Sequence, residues 1–195
     1  MLSSKLGHFL DKPLAPVIKF ININPNFYTI SGLLLNLLSA YVVIEDFFLG
    51  GIILGVGSIF DMLDGITARI NGRVTKFGAF LDSFLDRISE GFLFLGIAIH
   101  FALSVDLIGA LFSIIVLIFS YLISYVRARA EGLGVDCKVG LIERPERIIL
   151  ILIGLIFGHV KLFLIILSSL SLITIFQRFF WIYKKLKSPV RDSRY

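Results

Sequence analysis

Four aspartates fall at helical spacing in one short stretch. Asp61 and Asp64 lie in Asp61-Met62-Leu63-Asp64-Gly65-Ile66-Thr67-Ala68-Arg69, and Asp82 and Asp86 in Gly78-Ala79-Phe80-Leu81-Asp82-Ser83-Phe84-Leu85-Asp86. The first pair is i,i+3 and the second i,i+4, so on helices each pair shares a face. Both pairs are embedded in strongly apolar sequence, where an ionised aspartate at a helix centre costs about 2.5–3.5 kcal/mol. Divalent cations held among the four would offset that cost and their mutual repulsion. Pairing with Arg69, Arg73, Lys76 and Arg87 would also neutralise them. A salt-bridge network does not explain the glycines and Ala68-Arg69 at fixed offsets, so the spacing points to metal-assisted chemistry. All-oxygen donors favour Mg²⁺ or Mn²⁺. His8, His100 and His159 are scattered, and the single cysteine, Cys137, allows neither an internal disulfide nor a thiolate cluster.

The elements that must position these acids are membrane helices. The chain has 195 residues, 57% of them hydrophobic, and a mean hydropathy of +0.92. That excludes a disordered chain and an ordinary soluble core. Six apolar stretches, near 27–45, 48–70, 76–101, 105–129, 146–160 and 162–183, approach the roughly 20 residues a span needs, the fifth being short. The expected fold class is all-α: a polytopic membrane protein with six transmembrane helices and an N-terminal interfacial helix. If helices two and three form an antiparallel hairpin, all four carboxylates come to a similar depth.

Leu2, Leu6, Phe9 and Leu10 recur at helical spacing with Lys5, Lys12 and Lys19 among them, which suggests a helix lying on the membrane surface. Pro13 and Pro16 would end or kink it. The expected organisation is an amphipathic segment at 1–23, a six-helix domain at 24–187 and a polar tail at 188–195, with no cleavable signal peptide. Basic residues set the orientation. Arg69, Arg73 and Lys76, then Arg127, Arg129, Lys138, Arg144 and Arg147, then Lys184, Lys185, Lys187, Arg191 and Arg194 all flank the same side, against Lys161 alone opposite. The positive-inside rule then places both termini and the aspartates at the cytoplasmic face of the cell membrane. The net charge of +5 thus reflects topology, not a nucleic-acid partner. Because the acids cluster at one face, no path through the membrane is evident, which argues against an ion transporter.

The pattern D-x2-D-G-x2-A-R-x8-G-x3-D-x3-D, complete from Asp61 to Asp86, resembles the signature of the CDP-alcohol phosphotransferases. Pro25-Asn26 before helix one is similar to that family's Pro-Asn. The resemblance implies a homodimeric six-helix membrane enzyme that transfers a phosphatidyl-type group from a CDP-linked lipid to an alcohol and releases CMP. It further implies that Asp61, Asp64, Asp82 and Asp86 hold two Mg²⁺ or Mn²⁺ ions and that Asp86, the last carboxylate, is the catalytic general base. Gly65, Ala68, Arg69 and Gly78 would line the CDP-lipid pocket. Asn26 and Thr29 would contact the cytidine side or, equally, cap helix one.

Asp86-Arg87-Ile88-Ser89-Glu90-Gly91, Tyr125 to Gly134, and Ile142-Glu143-Arg144-Pro145-Glu146-Arg147 resemble the inositol phosphate branch of that family, which makes phosphatidylinositol phosphate or archaetidylinositol phosphate. A phosphorylated acceptor such as inositol 1-phosphate needs guanidinium forks, which Arg127, Arg129, Arg147 and Arg178 would supply. Arg144 is expected to be structural. Glycerol 3-phosphate is phosphorylated too, so a phosphatidylglycerophosphate synthase is the alternative that the arginines leave open.

Overall fold

The computed structural model describes residues 25–72 and 74–187, with side chains from residue 27 onward. They form six helices: α1 (Pro25–Val42), α2 (Phe47–Ile70), α3 (Lys76–Leu103), α4 (Leu107–Glu131), α5 (Arg144–Ile156) and α6 (Val160–Lys187). The expected all-α class holds, with no strand among the described residues. The segment 1–23, where an interfacial helix is expected, and the tail 188–195 lie outside the described residues.

Local chemistry sets the helix starts. Asp46, Thr75 and Asp106 accept hydrogen bonds from the backbone N–H of Leu49 (2.9 Å), Gly78 (2.9 Å) and Gly109 (3.0 Å). Each satisfies one of the orphan donors of a first helical turn. Glu143 begins α5: its backbone N–H donates to Glu146 Oε2 at 3.1 Å, and Pro145 stands in the first turn, where a missing N–H costs nothing. Helix five therefore starts earlier than the apolar run suggests, with Arg144 as its first residue, and it is only 13 residues long.

The main packing pairs are α1 with α2 and α3, α4 with α3 and α6, and α5 with α2 and α6. One apolar core runs through the bundle, from Val43 and Leu54 through Phe94 and Ile97 to Ile151 and Leu164. Outside it the apolar character continues: Leu34, Ile59, Leu111, Ile118, Phe176 and Phe180 are exposed. Helices α2, α4 and α6 are long and apolar enough to cross a membrane, so these outward faces read as lipid-facing surface and the chain as a membrane protein. Helix α3 carries Asp82, Asp86 and Arg87 in its first half and Glu90 at its middle, while α1 and α5 are shorter. Gly51 lets α2 approach Leu155 of α5, and Gly154 lets α5 approach Phe163 of α6. Gly158 instead serves the α5–α6 turn at φ +72°.

Candidate active site

Only a few residues separate α2 from α3, and the two aspartate pairs come together at one site. Asp61 accepts hydrogen bonds from Asn36 Nδ2 at 2.9 Å and Arg144 Nη2 at 3.2 Å. Asp64 is buried and accepts from the Thr29 hydroxyl at 2.8 Å. Asp86 faces Arg144 Nη1 at 2.6 Å and Arg87 Nη1 at 3.9 Å. A gap of about 10 Å³ is walled by Thr29, Leu33, Asp61, Asp82, Leu85, Asp86 and Ser89. Three of the four acids therefore border one small space, and the fourth is tied to Thr29 at its wall.

Helix α1 supports this arrangement with a stripe that the apolar run conceals. Thr29, Gly32, Asn36 and Ser39 lie on one face, and a Cβ at residue 32 would overlap the Asp61 carboxylate oxygen. Gly32 thus lets Asp61 sit flush against α1, within reach of Asn36. Neither Gly32 nor Asn36 stands out in the sequence. The signal is a row of small and polar residues at i, i+3, i+7 and i+10 in a hydrophobic helix.

The donor chemistry fits a hard divalent cation, because all four side chains offer carboxylate oxygens. Among the described residues, no three acidic, His or Cys side chains already converge on one ion's position. The positive charge between Asp61 and Asp86 is that of the Arg144 guanidinium. Arg144, expected to be structural, bridges an acid of α2 to an acid of α3. Its place at the first turn of α5 aims it directly at them.

A larger cavity of about 780 Å³ opens beside the acids, between α3, α4, α5 and α6. Asp82 and Asp86 line it together with Arg127, Arg144, Arg147 and Arg178. Arg147 is 1% exposed and pairs side-on with Glu90, Nε to Oε1 at 2.8 Å and Nη2 to Oε2 at 2.9 Å. Arg178 is also buried; it donates to the backbone carbonyls of Val139 (2.8 Å) and Ile123 (2.6 Å). Gly140 makes room for it in the α4–α5 loop, at φ +144° and with Arg178 Nε 3.4 Å from where a Cβ would be. Arg127 meets Glu131 at 2.9 Å and Glu143 at 3.7 Å, and Glu143 stands 3.7 Å from Arg178 as well.

Not every expected residue reaches the site. Arg129 is exposed and does not border the cavity, because two residues beyond Arg127 is about 200° around the helix. Thr29 lies inside α1 with its hydroxyl on Asp64, so it is no helix cap. Asn26 stands in the first turn of α1, and its side chain lies outside the described residues. Gly65 and Ala68 follow Asp64 on α2, with Arg69 Nη1 3.3 Å from where a Gly65 Cβ would be. Gly78 opens α3 against the Thr75 hydroxyl, beyond the rim of both cavities.

Comparison with known proteins agrees with this geometry. The family profile described as CDP-alcohol phosphatidyltransferase matches residues 22–183. The archaetidylinositol phosphate synthase of Pyrococcus horikoshii is 40% identical over 189 residues, covering 94% of this chain and 98% of that one. The phosphatidylinositol phosphate synthase of Mycobacteroides abscessus is 36% identical over 192 residues, covering 91% and 86%. Among solved structures, the Mycobacterium tuberculosis phosphatidylinositol phosphate synthase with CDP-DAG bound superposes with a TM-score of 0.80 at 31% identity, over 95% of this chain and 98% of that one. The same enzyme in complex with manganese and citrate gives 0.79 at 32% identity, over 95% and 93%. The resemblance carried by residues 61 to 86 is thereby borne out: the chain belongs to the CDP-alcohol phosphatidyltransferase family, and it is an enzyme.

Proposed function

We propose that this enzyme transfers a phosphatidyl-type group, from CDP-diacylglycerol or CDP-archaeol, to inositol 1-phosphate and releases CMP. The observation that carries the reading is the shared cavity, lined by Asp82 and Asp86 together with Arg127, Arg144, Arg147 and Arg178. A phosphorylated polyol placed there would set its phosphate among guanidinium groups and its hydroxyls beside carboxylates. The names of the relatives support the same acceptor.

Asp61, Asp64, Asp82 and Asp86 would hold Mg²⁺ or Mn²⁺, one or two ions, which would neutralise the pyrophosphate of the CDP-lipid. Each protein group then has a task. The Asp86 carboxylate takes the proton of the attacking inositol hydroxyl. The new bond joins that oxygen to the lipid-side phosphorus, and the bond to the CMP oxygen breaks, so that CMP carries away the electron pair. Asn36 and Arg144 orient Asp61, and Thr29 orients Asp64. Gly65, Ala68, Arg69 and Gly78, with Asn26, would border the nucleotide. In this reading all six helices span the membrane, the short α5 included. Both termini and the site face the cytoplasm, and the protein works as a homodimer.

The test is acceptor competition. Purified protein receives a CDP-lipid with Mg²⁺ or Mn²⁺, and is offered inositol 1-phosphate, inositol, glycerol 3-phosphate or serine in turn. CMP is expected with inositol 1-phosphate alone. CMP released only with glycerol 3-phosphate would overturn the acceptor and leave the family untouched.

A further inference from the structure

We propose that Glu90 is the positioning residue of the acceptor site: it grips the Arg147 guanidinium by one edge so that the opposite edge meets the acceptor's phosphate. This rests on the acceptor reading above and deepens it. Glu90 and Arg147 are 2% and 1% exposed, and their two bonds of 2.8 and 2.9 Å use the Nε–H and one N–H of Nη2. A guanidinium held in that side-on fork keeps both N–H donors of Nη1. Arg147 borders the 780 Å³ cavity, and in this proposal the Nη1 edge is the one offered to a ligand there.

Stability alone does not account for the pair. Apolar side chains of similar volume hold a buried site at least as well as a buried ion pair. The next turn of α3 shows that alternative, with Leu93, Phe94 and Ile97 fully buried. The pair is also neutral as a unit, so it adds little long-range attraction for an anion. What it supplies is direction: two N–H donors fixed in place before the acceptor arrives.

Position makes the direction useful. Glu90 follows Asp86 by four residues, on the same face of α3 and about 6 Å along its axis. Helix α3 therefore carries the proton acceptor and, one turn deeper, the clamp on the phosphate-binding guanidinium. That offset is comparable to the span of a six-membered ring between one substituent and another. The helix would thus act as a ruler, presenting a hydroxyl to Asp86 while the phosphate rests at Arg147.

The test is steady-state kinetics of the full-length enzyme with inositol 1-phosphate and a CDP-lipid varied separately. Because Glu90→Gln leaves a buried guanidinium half-paired, Glu90→Asp, which keeps the charge but retracts it, is measured alongside. The expected result is an acceptor KM raised about tenfold or more in Glu90→Gln and less in Glu90→Asp, with the KM for the CDP-lipid unchanged. In an Arg147→Ala background, Glu90→Gln should add nothing further to the acceptor KM. Should every folded Glu90 variant keep the wild-type acceptor KM, or should the two substitutions multiply, the positioning role is overturned. Wild-type enzyme inert toward inositol 1-phosphate would instead overturn the acceptor reading, so the two failures are distinguishable.

Discussion

Gly32→Ala tests whether the packing of α1 against α2 places the aspartates as described. The added methyl would overlap Asp61 Oδ1, with Asp61 Cγ and the Asp61 backbone nitrogen each 3.3 Å away. The backbone cannot yield without parting two helices, so the carboxylate must move, on the order of an ångström. That motion breaks its bonds to Asn36 (2.9 Å) and Arg144 (3.2 Å). Overpacking costs about 1–3 kcal/mol, and replacing a helical glycine returns about 1 kcal/mol. The net loss of stability is then roughly 0–2 kcal/mol, small enough for a folded protein. Turnover should suffer far more, because displacing a catalytic group by about an ångström costs on the order of a hundredfold. CMP release and thermal unfolding in detergent would be read on the same samples. Gly55→Ala is the control: its methyl would meet only Leu152 methyls at 3.7 Å, an ordinary contact. Its turnover should match wild type, with unfolding unchanged or slightly later. A Gly32→Ala enzyme turning over within about threefold of wild type would refute the placement of Asp61 against α1.

Three further outcomes follow from the same contacts. Asp86→Asn should still bind nucleotide and Mn²⁺ in isothermal titration yet lose turnover; normal CMP release would remove Asp86 as the base. Arg144→Gln withdraws the guanidinium that lies between Asp61 and Asp86, so Mn²⁺ affinity by titration should rise about tenfold while the metal-free protein unfolds earlier. At the opposite end of the bundle, the hydrogen bond from Lys161 and the backbone N–H of Gly109 hold the Asp106 carboxyl below its ordinary value. A depressed carboxylate stabilises the fold above its unfolded pKa and loses that contribution as the pH falls through the lower folded value. Asp106→Asn, which keeps the cap but not the charge, should therefore lower the unfolding temperature at neutral pH. The difference from wild type should close below about pH 3.9.

The fold was largely legible because membrane helices announce themselves by length and composition. Asp61 to Asp86 was legible for a related reason: charge in apolar sequence is costly, so four acids at helical spacing demand an explanation from the chain alone. Where the reading fell short, the missing information lay in geometry across helices. Gly32 and Asn36 are unremarkable in α1, and only the crossing with α2 gives them a partner. Arg129 carries the same charge as Arg127, but helical phase turns one into the cavity and the other away from it.

Arg144 and Arg147 make the point most sharply, since both belong to one short segment and both are cations near anions. The sequence favours Arg147 as the ligand and Arg144 as mere support. In the structure Arg147 spends one edge on Glu90, deep in the bundle, while Arg144 bridges two of the acids. The two stand on one face of α5, offset by about 4.5 Å of rise and a net 60°, and that offset is enough for one guanidinium to meet Glu90 and the other Asp61 and Asp86. Composition reports how much charge a segment carries, but the helix decides what each charge can touch. On the proposed chemistry, where a phosphate is held while a nearby phosphorus is attacked, that division would let one short helix serve both tasks.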